Sequence, residues 1–131
     1  MTTVTRVKVF EVEAENKAGK LGEIARALAT QNINIVGVQT IGSLNSIRIT
    51  TNDPTKTETT LKSKNWKYKA VDVLGVRVPN KPGALADIAE KLGKSSINIE
   101  SIIGYSSSPN IEGELLLRVP DVSQAEKVLQ G

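Results

Sequence analysis

The chain contains no cysteine and no histidine among its 131 residues. The first absence excludes disulfides and thiolate nucleophiles, the second excludes imidazole bases, and together they remove the usual zinc ligands. Aromatic residues make up only 3%, so a core has to be built from Val, Ile, Leu and Ala. No window approaches the ~20 consecutive apolar residues that a membrane helix needs. The opening stretch MTTVTRVKVFEVEAE has no apolar signal region. The expectation is a cytoplasmic protein with no membrane association.

Neither sign of charge dominates, with 17 basic and 14 acidic residues and a net charge of +3. The densest basic stretch is Lys62, Lys64, Lys67 and Lys69, at the end of a predicted helix, where cations favour its dipole. Strands that bind RNA carry stacking aromatics; here VKVFEVEA, NSIRITT, VLGVRV and ELLLRV hold only Phe10. Nucleic acid is not an expected partner. Glu11, Glu13 and Glu15 fall on one face of a strand at period two, which reads as a solvated face. No metal and no cofactor are expected, and no paired base and nucleophile is visible, so the chain is not expected to be an enzyme.

What the sequence does have is a repeat. Shifted by 64 residues, Val7–Val38 falls on Val71–Ile102 without a gap. Asn16 meets Asn80, Gly19 meets Gly83, and Leu21 meets Leu85. Ile24, Ala25 and Leu28 meet Ile88, Ala89 and Leu92, and Ile33-Asn34-Ile35 meets Ile97-Asn98-Ile99. In each copy an alternating strand carries Phe10, Val12 and Ala14, or Leu74, Val76 and Val78, on one face. A short Asn- and Gly-containing loop follows, then a helix with apolar residues at i, i+3, i+4 and i+7. A second strand is predicted near 33–41 and 97–105, and a third with Ile47 and Ile49, or Leu115 and Leu117, inward. The offset there grows to 68, which places four extra residues at the hairpin tip Ser106–Asn110. Asp53 and Asp121 each sit where a helix would begin, and Pro54 suits the first helical position. Helices are predicted over 54–64 and 122–130. A fourth strand, Trp66–Ala70, closes the first copy; its counterpart would fall at 134–138.

The order strand, helix, strand, strand, helix, strand defines a ferredoxin-like split βαβ. The predicted fold is therefore α+β: two tandem ferredoxin-like βαββαβ modules with antiparallel sheets, at 1–70 and 71–131, the second lacking its last strand. That leaves the strand around Val73–Val78 with an open side, for which another backbone is expected. The long strand Lys67–Val78, the N-terminal residues Thr2–Arg6, and a second chain are the candidates.

The segments ENKAGKLGEIA at 15–25 and PNKPGALADIA at 79–89, with NINI at 32–35 and INIES at 97–101, name a family. Both copies resemble the ACT domain, an amino-acid-sensing module found on enzymes of amino-acid metabolism. ENKAGKLGEIA and INIES are similar to the regulatory subunit of acetolactate synthase. The tandem arrangement is similar to the regulatory half of aspartokinase. The resemblance implies a free amino acid as ligand, held at the loop between first strand and first helix, and regulation through a homodimer or a partner enzyme.

The residue chemistry fits that implication. A loop leading into a helix N-terminus offers backbone N–H groups and a positive dipole end to a carboxylate. In the first copy the expected ligand-binding residues are Asn16, Gly19, Lys20, Leu21, Asn34 and Ile35. In the second they are Asn80, Lys81, Pro82, Gly83, Ala84, Leu85, Asn98 and Ile99. Gly19 and Gly83 let the backbone approach closely, Asn16 and Asn80 can accept from an ammonium, and Leu21 and Leu85 would wall a side-chain pocket. Each also has a structural role open to it: an Asx turn for Asn16 and Asn80, turn glycines for Gly19 and Gly83, core packing for Leu21 and Leu85, a turn before the second strand for Asn34 and Asn98, and plain solvation for Lys17 and Lys81. The competing function is a ligand-independent regulatory subunit that docks a metabolic enzyme.

Overall fold

In this computed structural model, which describes residues 3–15, 18–105 and 112–130, the alternating N-terminal segment is one strand of eleven residues, β1 (Thr3–Glu13). It is followed by α1 (Lys20–Thr30), β2 (Ile35–Ile41), a single 3₁₀ turn at Gly42–Leu44, β3 (Ser46–Thr51) and α2 (Pro54–Ser63). Then come β4 (Tyr68–Val78), α3 (Ala84–Lys94), β5 (Ser101–Tyr105), β6 (Gly113–Arg118) and α4 (Val122–Gln130). The class is α+β, with antiparallel pairs β1–β3, β2–β3, β4–β6 and β5–β6. The hairpin tip Ser106–Asn110 lies outside the described residues. The long strand expected over Lys67–Val78 is β4, uninterrupted from Tyr68 to Val78.

The chain divides into two compact units. One, Lys8–Val71, is contiguous. The other is discontinuous: Met1–Val7 together with Asp72–Gly131. This division differs from a boundary after residue 70 by the first seven residues and by Val71, because the two halves of β1 pack into different units.

In the contiguous unit the strand order is β2-β3-β1-β4, with only the start of β4 taking part. Glu13 N–H donates to Lys67 C=O at 2.9 Å. Phe10, Val12 and Ala14 point from β1 into a core shared with Ile24 and Leu28 of α1, Ile47 and Ile49 of β3, and Leu61 of α2. The ring of Phe10 lies 6.0 Å from that of Tyr68. Opposite Phe10 and Val12, Glu11 meets Arg48 at 3.2 Å, and both side chains are largely covered. Glu11 is thus a paired group and not the solvated one expected.

In the discontinuous unit the order is β1-β4-β6-β5. Leu74, Val76 and Val78 take the places of Phe10, Val12 and Ala14, and pack on Ile88, Leu92, Leu117 and Leu129. The side of β4 expected to be open is occupied by Thr3–Val7. Val4 packs on the core, and Thr5 Oγ1 donates to Gly75 C=O at 3.5 Å. A Cβ on Gly75 would stand 3.0 Å from Val7 Cγ2 and 3.1 Å from Thr5 Oγ1, so a larger residue here would press on both side chains of the neighbouring strand. Arg6 reaches α4, where its guanidinium donates to both carboxylate oxygens of Glu126 at 3.3 Å and to Ser123 Oγ at 3.0 Å. The N-terminal residues are therefore the backbone that covers the edge, one of the three candidates.

Candidate ligand-binding loops

Both loops start their helices in the same way. Gly19 (φ 90°, ψ −13°) and Gly83 (φ 89°, ψ −15°) stand in the left-handed region immediately before α1 and α3, where L-residues with a Cβ are strained. Among the described residues nothing lies within 4 Å of the position a Cβ would take on either glycine. Glu23 N–H and Asp87 N–H close the first turns onto Gly19 and Gly83 C=O, each at 2.9 Å.

The capping differs between the helix pairs. Asp53 Oδ1 accepts from Lys56 N–H at 3.0 Å and Asp121 Oδ1 accepts from Gln124 N–H at 3.1 Å, so α2 and α4 carry their own carboxylate caps. The N-cap residues of α1 and α3, Gly19 and Gly83, make no side-chain cap hydrogen bond. Their first N–H groups have no partner inside the helix. Acidic residues do stand in both first turns, Glu23 and Asp87, and Lys20 Nζ lies 3.6 Å from Glu23 Oε2.

The residue after the first helical position is apolar and exposed in both copies: Leu21 at 39% and Leu85 at 54%. Neither belongs to a core. The first helical position itself differs, with half-buried Lys20 in one copy and Ala84, part of the buried core, in the other. Asn80, Lys81 and Pro82 are exposed, and Lys81 shapes a tight turn: its N–H donates to Pro79 C=O at 3.0 Å while its C=O accepts from Ala84 N–H at 3.3 Å. Asn16 and Lys17 lie outside the described residues.

The second set of expected residues, at the approach to the second strands, is engaged within the fold. Asn34 N–H donates to Asn52 Oδ1 at 3.0 Å, and Asn34 C=O accepts from Asn52 N–H at 3.1 Å. Ile35 pairs with Thr51 and packs against the core. Ile99 packs likewise in the other unit, while Asn98 is exposed. Asn52 was not singled out from the sequence. Its counterpart at the 68-residue offset is Pro120, which has no N–H to donate, so the reciprocal pair with Asn34 belongs to one unit alone.

Among the described groups, Tyr68 has a shifted acidity. Burial of the phenol and the neighbouring Glu58 carboxylate raise its pKa above the ordinary 10.0, against a smaller lowering by Lys62.

Two glycine-started helices over antiparallel sheets define a ferredoxin-like α+β protein with a repeated loop–helix element. Residues 73–130 match the family model of the ACT domain. A Bacteroides thetaiotaomicron protein of solved structure is 27% identical at a TM-score of 0.87, covering 97% of this chain and 88% of its own. The ligand-free regulatory subunit of aspartate kinase from Thermus thermophilus matches at 13% identity and a TM-score of 0.64, over 98% and 94% of the two chains. Aspartokinase III of E. coli, solved in complex with lysine and aspartate, matches at 18% and 0.65; the chain spans 31% of that protein. The last two likenesses are of fold. No curated protein matches by sequence.

Proposed function

We propose that this protein is a non-catalytic regulatory module that binds a free amino acid at one or both of the loops ahead of α1 and α3. The observation that carries the reading is the capping contrast. The carboxylates of Asp53 and Asp121 cap α2 and α4, whereas the N-cap residues of α1 and α3 are Gly19 and Gly83, which carry no side chain to cap with. An amino acid's α-carboxylate can serve as an acceptor there, and the helix dipole favours it. Gly19 and Gly83 admit it to the backbone, and exposed Leu21 and Leu85 wall its side chain. Asn16, Lys20, Asn34 and Ile35 complete the first site, and Asn80, Lys81, Pro82, Ala84, Asn98 and Ile99 complete the second. The ACT-domain match at 73–130 supports the reading, as does the likeness to an aspartokinase solved with lysine and aspartate.

In this reading the chain is a pair of tandem ACT-like modules. It works in the cytoplasm as a homodimer or on a metabolic enzyme. Ligand regulates by favouring one arrangement over another. Among the described residues no helix is long and apolar enough to cross a membrane. A ligand-independent docking subunit is the second reading, and β2 favours it. This strand lies at one end of its unit's strand order, carries no charged residue and exposes Val36 and Val38, whereas edge strands are ordinarily protected by charge.

A thermal-shift screen with each common amino acid at millimolar concentration separates the two. A ligand at 100 times its dissociation constant stabilises by about 2.7 kcal/mol, a shift of several degrees for a chain of this size. Stabilisation by one or a few amino acids is the expected result. A flat response to all of them overturns the sensor reading and leaves the docking subunit.

A further inference from the structure

The contiguous unit is an insertion in the chain of the other. The discontinuous unit holds Thr3–Val7 beside β4, and the rest of its fold begins only at Asp72. Between them lie the 64 residues Lys8–Val71. Thr3–Val7 is not loosely attached: Val4 packs on the core, Thr5 bonds to Gly75, and Arg6 clasps Glu126 and Ser123. It is the strand beside β4 in this unit.

We infer that folding of the discontinuous unit is coupled to folding of the inserted one through the N-terminal strand. When Lys8–Val71 is folded, β1 and β4 leave it as neighbouring strands, held together by bonds such as Glu13 N–H to Lys67 C=O at 2.9 Å. Val7 and Asp72 are then delivered side by side, and Thr3–Val7 docks on β4 with no loop to close. When the insert is unfolded, docking the same strand has to close a flexible loop of 64 residues. The probability of closure falls as the three-halves power of loop length, which for this loop is about 500-fold. The coupling is reciprocal: a folded host holds the two ends of Lys8–Val71 together and restricts the unfolded insert by the same loop-closure factor. The N-terminal strand is thus a strap that holds the discontinuous unit closed while the inserted unit is folded. This inference rests on chain path and packing and is independent of the ligand proposal.

Hydrogen exchange on the full chain tests it. Phe10→Ala with Leu28→Ala removes two fully buried side chains from the insert, and urea is added until amides of Ile47–Thr51 exchange unprotected. At that point the amides of Leu74–Val78 and Leu115–Leu117 are expected to exchange about 500-fold faster than in the unsubstituted chain at the same urea. The converse pair, Leu92→Ala with Leu117→Ala, should lower protection of Ile47–Thr51 by a comparable factor once the discontinuous unit is unfolded. The control is a circular permutant that starts at Lys8 and carries Thr3–Val7 after Gly131 on a three-residue linker. With the same insert substitutions it should keep Leu74–Val78 protected within tenfold. Two outcomes overturn the inference: full protection of the discontinuous unit while the insert is unfolded, or an equal loss in the permutant, which would place the dependence elsewhere than in the strap.

Discussion

Thr51 Oγ1 and Thr57 Oγ1 lie 2.7 Å apart in the interior of the contiguous unit. Asp53 N–H donates to Thr51 Oγ1 at 3.2 Å, and Thr57 Oγ1 donates to Asp53 C=O at 2.8 Å. With Thr51 as donor to Thr57, every polar atom of the ring is satisfied, which is what burial of hydroxyls demands. At the 68-residue offset the same positions hold Val119 and Ala125, both buried in the other core. One unit therefore fixes the junction of β3 and α2 with hydroxyls, and the other packs the equivalent junction with methyl groups.

Thr51→Val should destabilise the chain by about 1–3 kcal/mol, because Asp53 N–H and Thr57 Oγ1 each lose a partner. Adding Thr57→Ala should cost less than the sum of the two single changes, since the pair would then resemble Val119 and Ala125. A double-mutant cycle by urea unfolding measures the coupling. Strict additivity would rule out the ring.

The carboxylate caps give a second expectation. Asp53→Ala and Asp121→Ala should each cost about 0.5–2 kcal/mol, and Asn at either position should recover most of the loss. Unfolding midpoints of the four variants decide it. If Asn behaves like Ala, the side-chain oxygens are not what holds the first turns of α2 and α4.

Gly19→Ala and Gly83→Ala isolate backbone strain. The added methyl meets nothing within 4 Å among the described residues, so the expected cost of about 1–2 kcal/mol comes from the left-handed conformation alone. The two losses should be alike, because the two dihedral pairs agree within two degrees. Under the proposed function both variants also weaken the ligand-induced thermal shift. Stability unchanged by either substitution would show that the loops do not hold this conformation in solution.

Tyr68 sets an alkaline limit. Its folded-state pKa is raised above 10.0 by burial of the phenol and by Glu58, so the native state holds the proton more tightly than the unfolded chain. That contribution is complete below the ordinary phenol value and is lost as pH rises through the folded value. Absorbance titration of the phenolate should show a late-ionising tyrosine that Tyr68→Phe abolishes. The variant's stability should also fall less steeply above pH 10. Titration of Tyr68 at or below the ordinary value would contradict the upward push from partial desolvation and Glu58.

Local pattern was enough for much of this molecule. The period-two strand Phe10–Ala14, the helix spacing of Leu21, Ile24, Ala25 and Leu28, and the Asp53-Pro54 start of α2 act over a few residues, so they could be read directly. The 64-residue repeat also paired the two cores in advance, Phe10 with Leu74, Ile24 with Ile88 and Leu28 with Leu92, and placed a glycine ahead of both helices. The exposure of Leu21 and Leu85 was not legible, because an apolar residue at helical spacing reads as core until the packed neighbours are known. The reciprocal Asn34–Asn52 pair was hidden for a related reason: it joins residues 18 apart through backbone and amide groups that many sequences could supply. The covering of β4 lay furthest from the sequence. An unpaired strand edge requires a partner, yet backbone hydrogen bonding has almost no side-chain code, so three candidates were equally admissible. Tertiary structure chose Thr3–Val7 because Val4 could enter the core, Arg6 could reach Glu126, and Gly75 left room for Thr5 and Val7. The sequence by itself determined two like loop–helix halves; only the fold decided that the first strand of the chain closes the second of them.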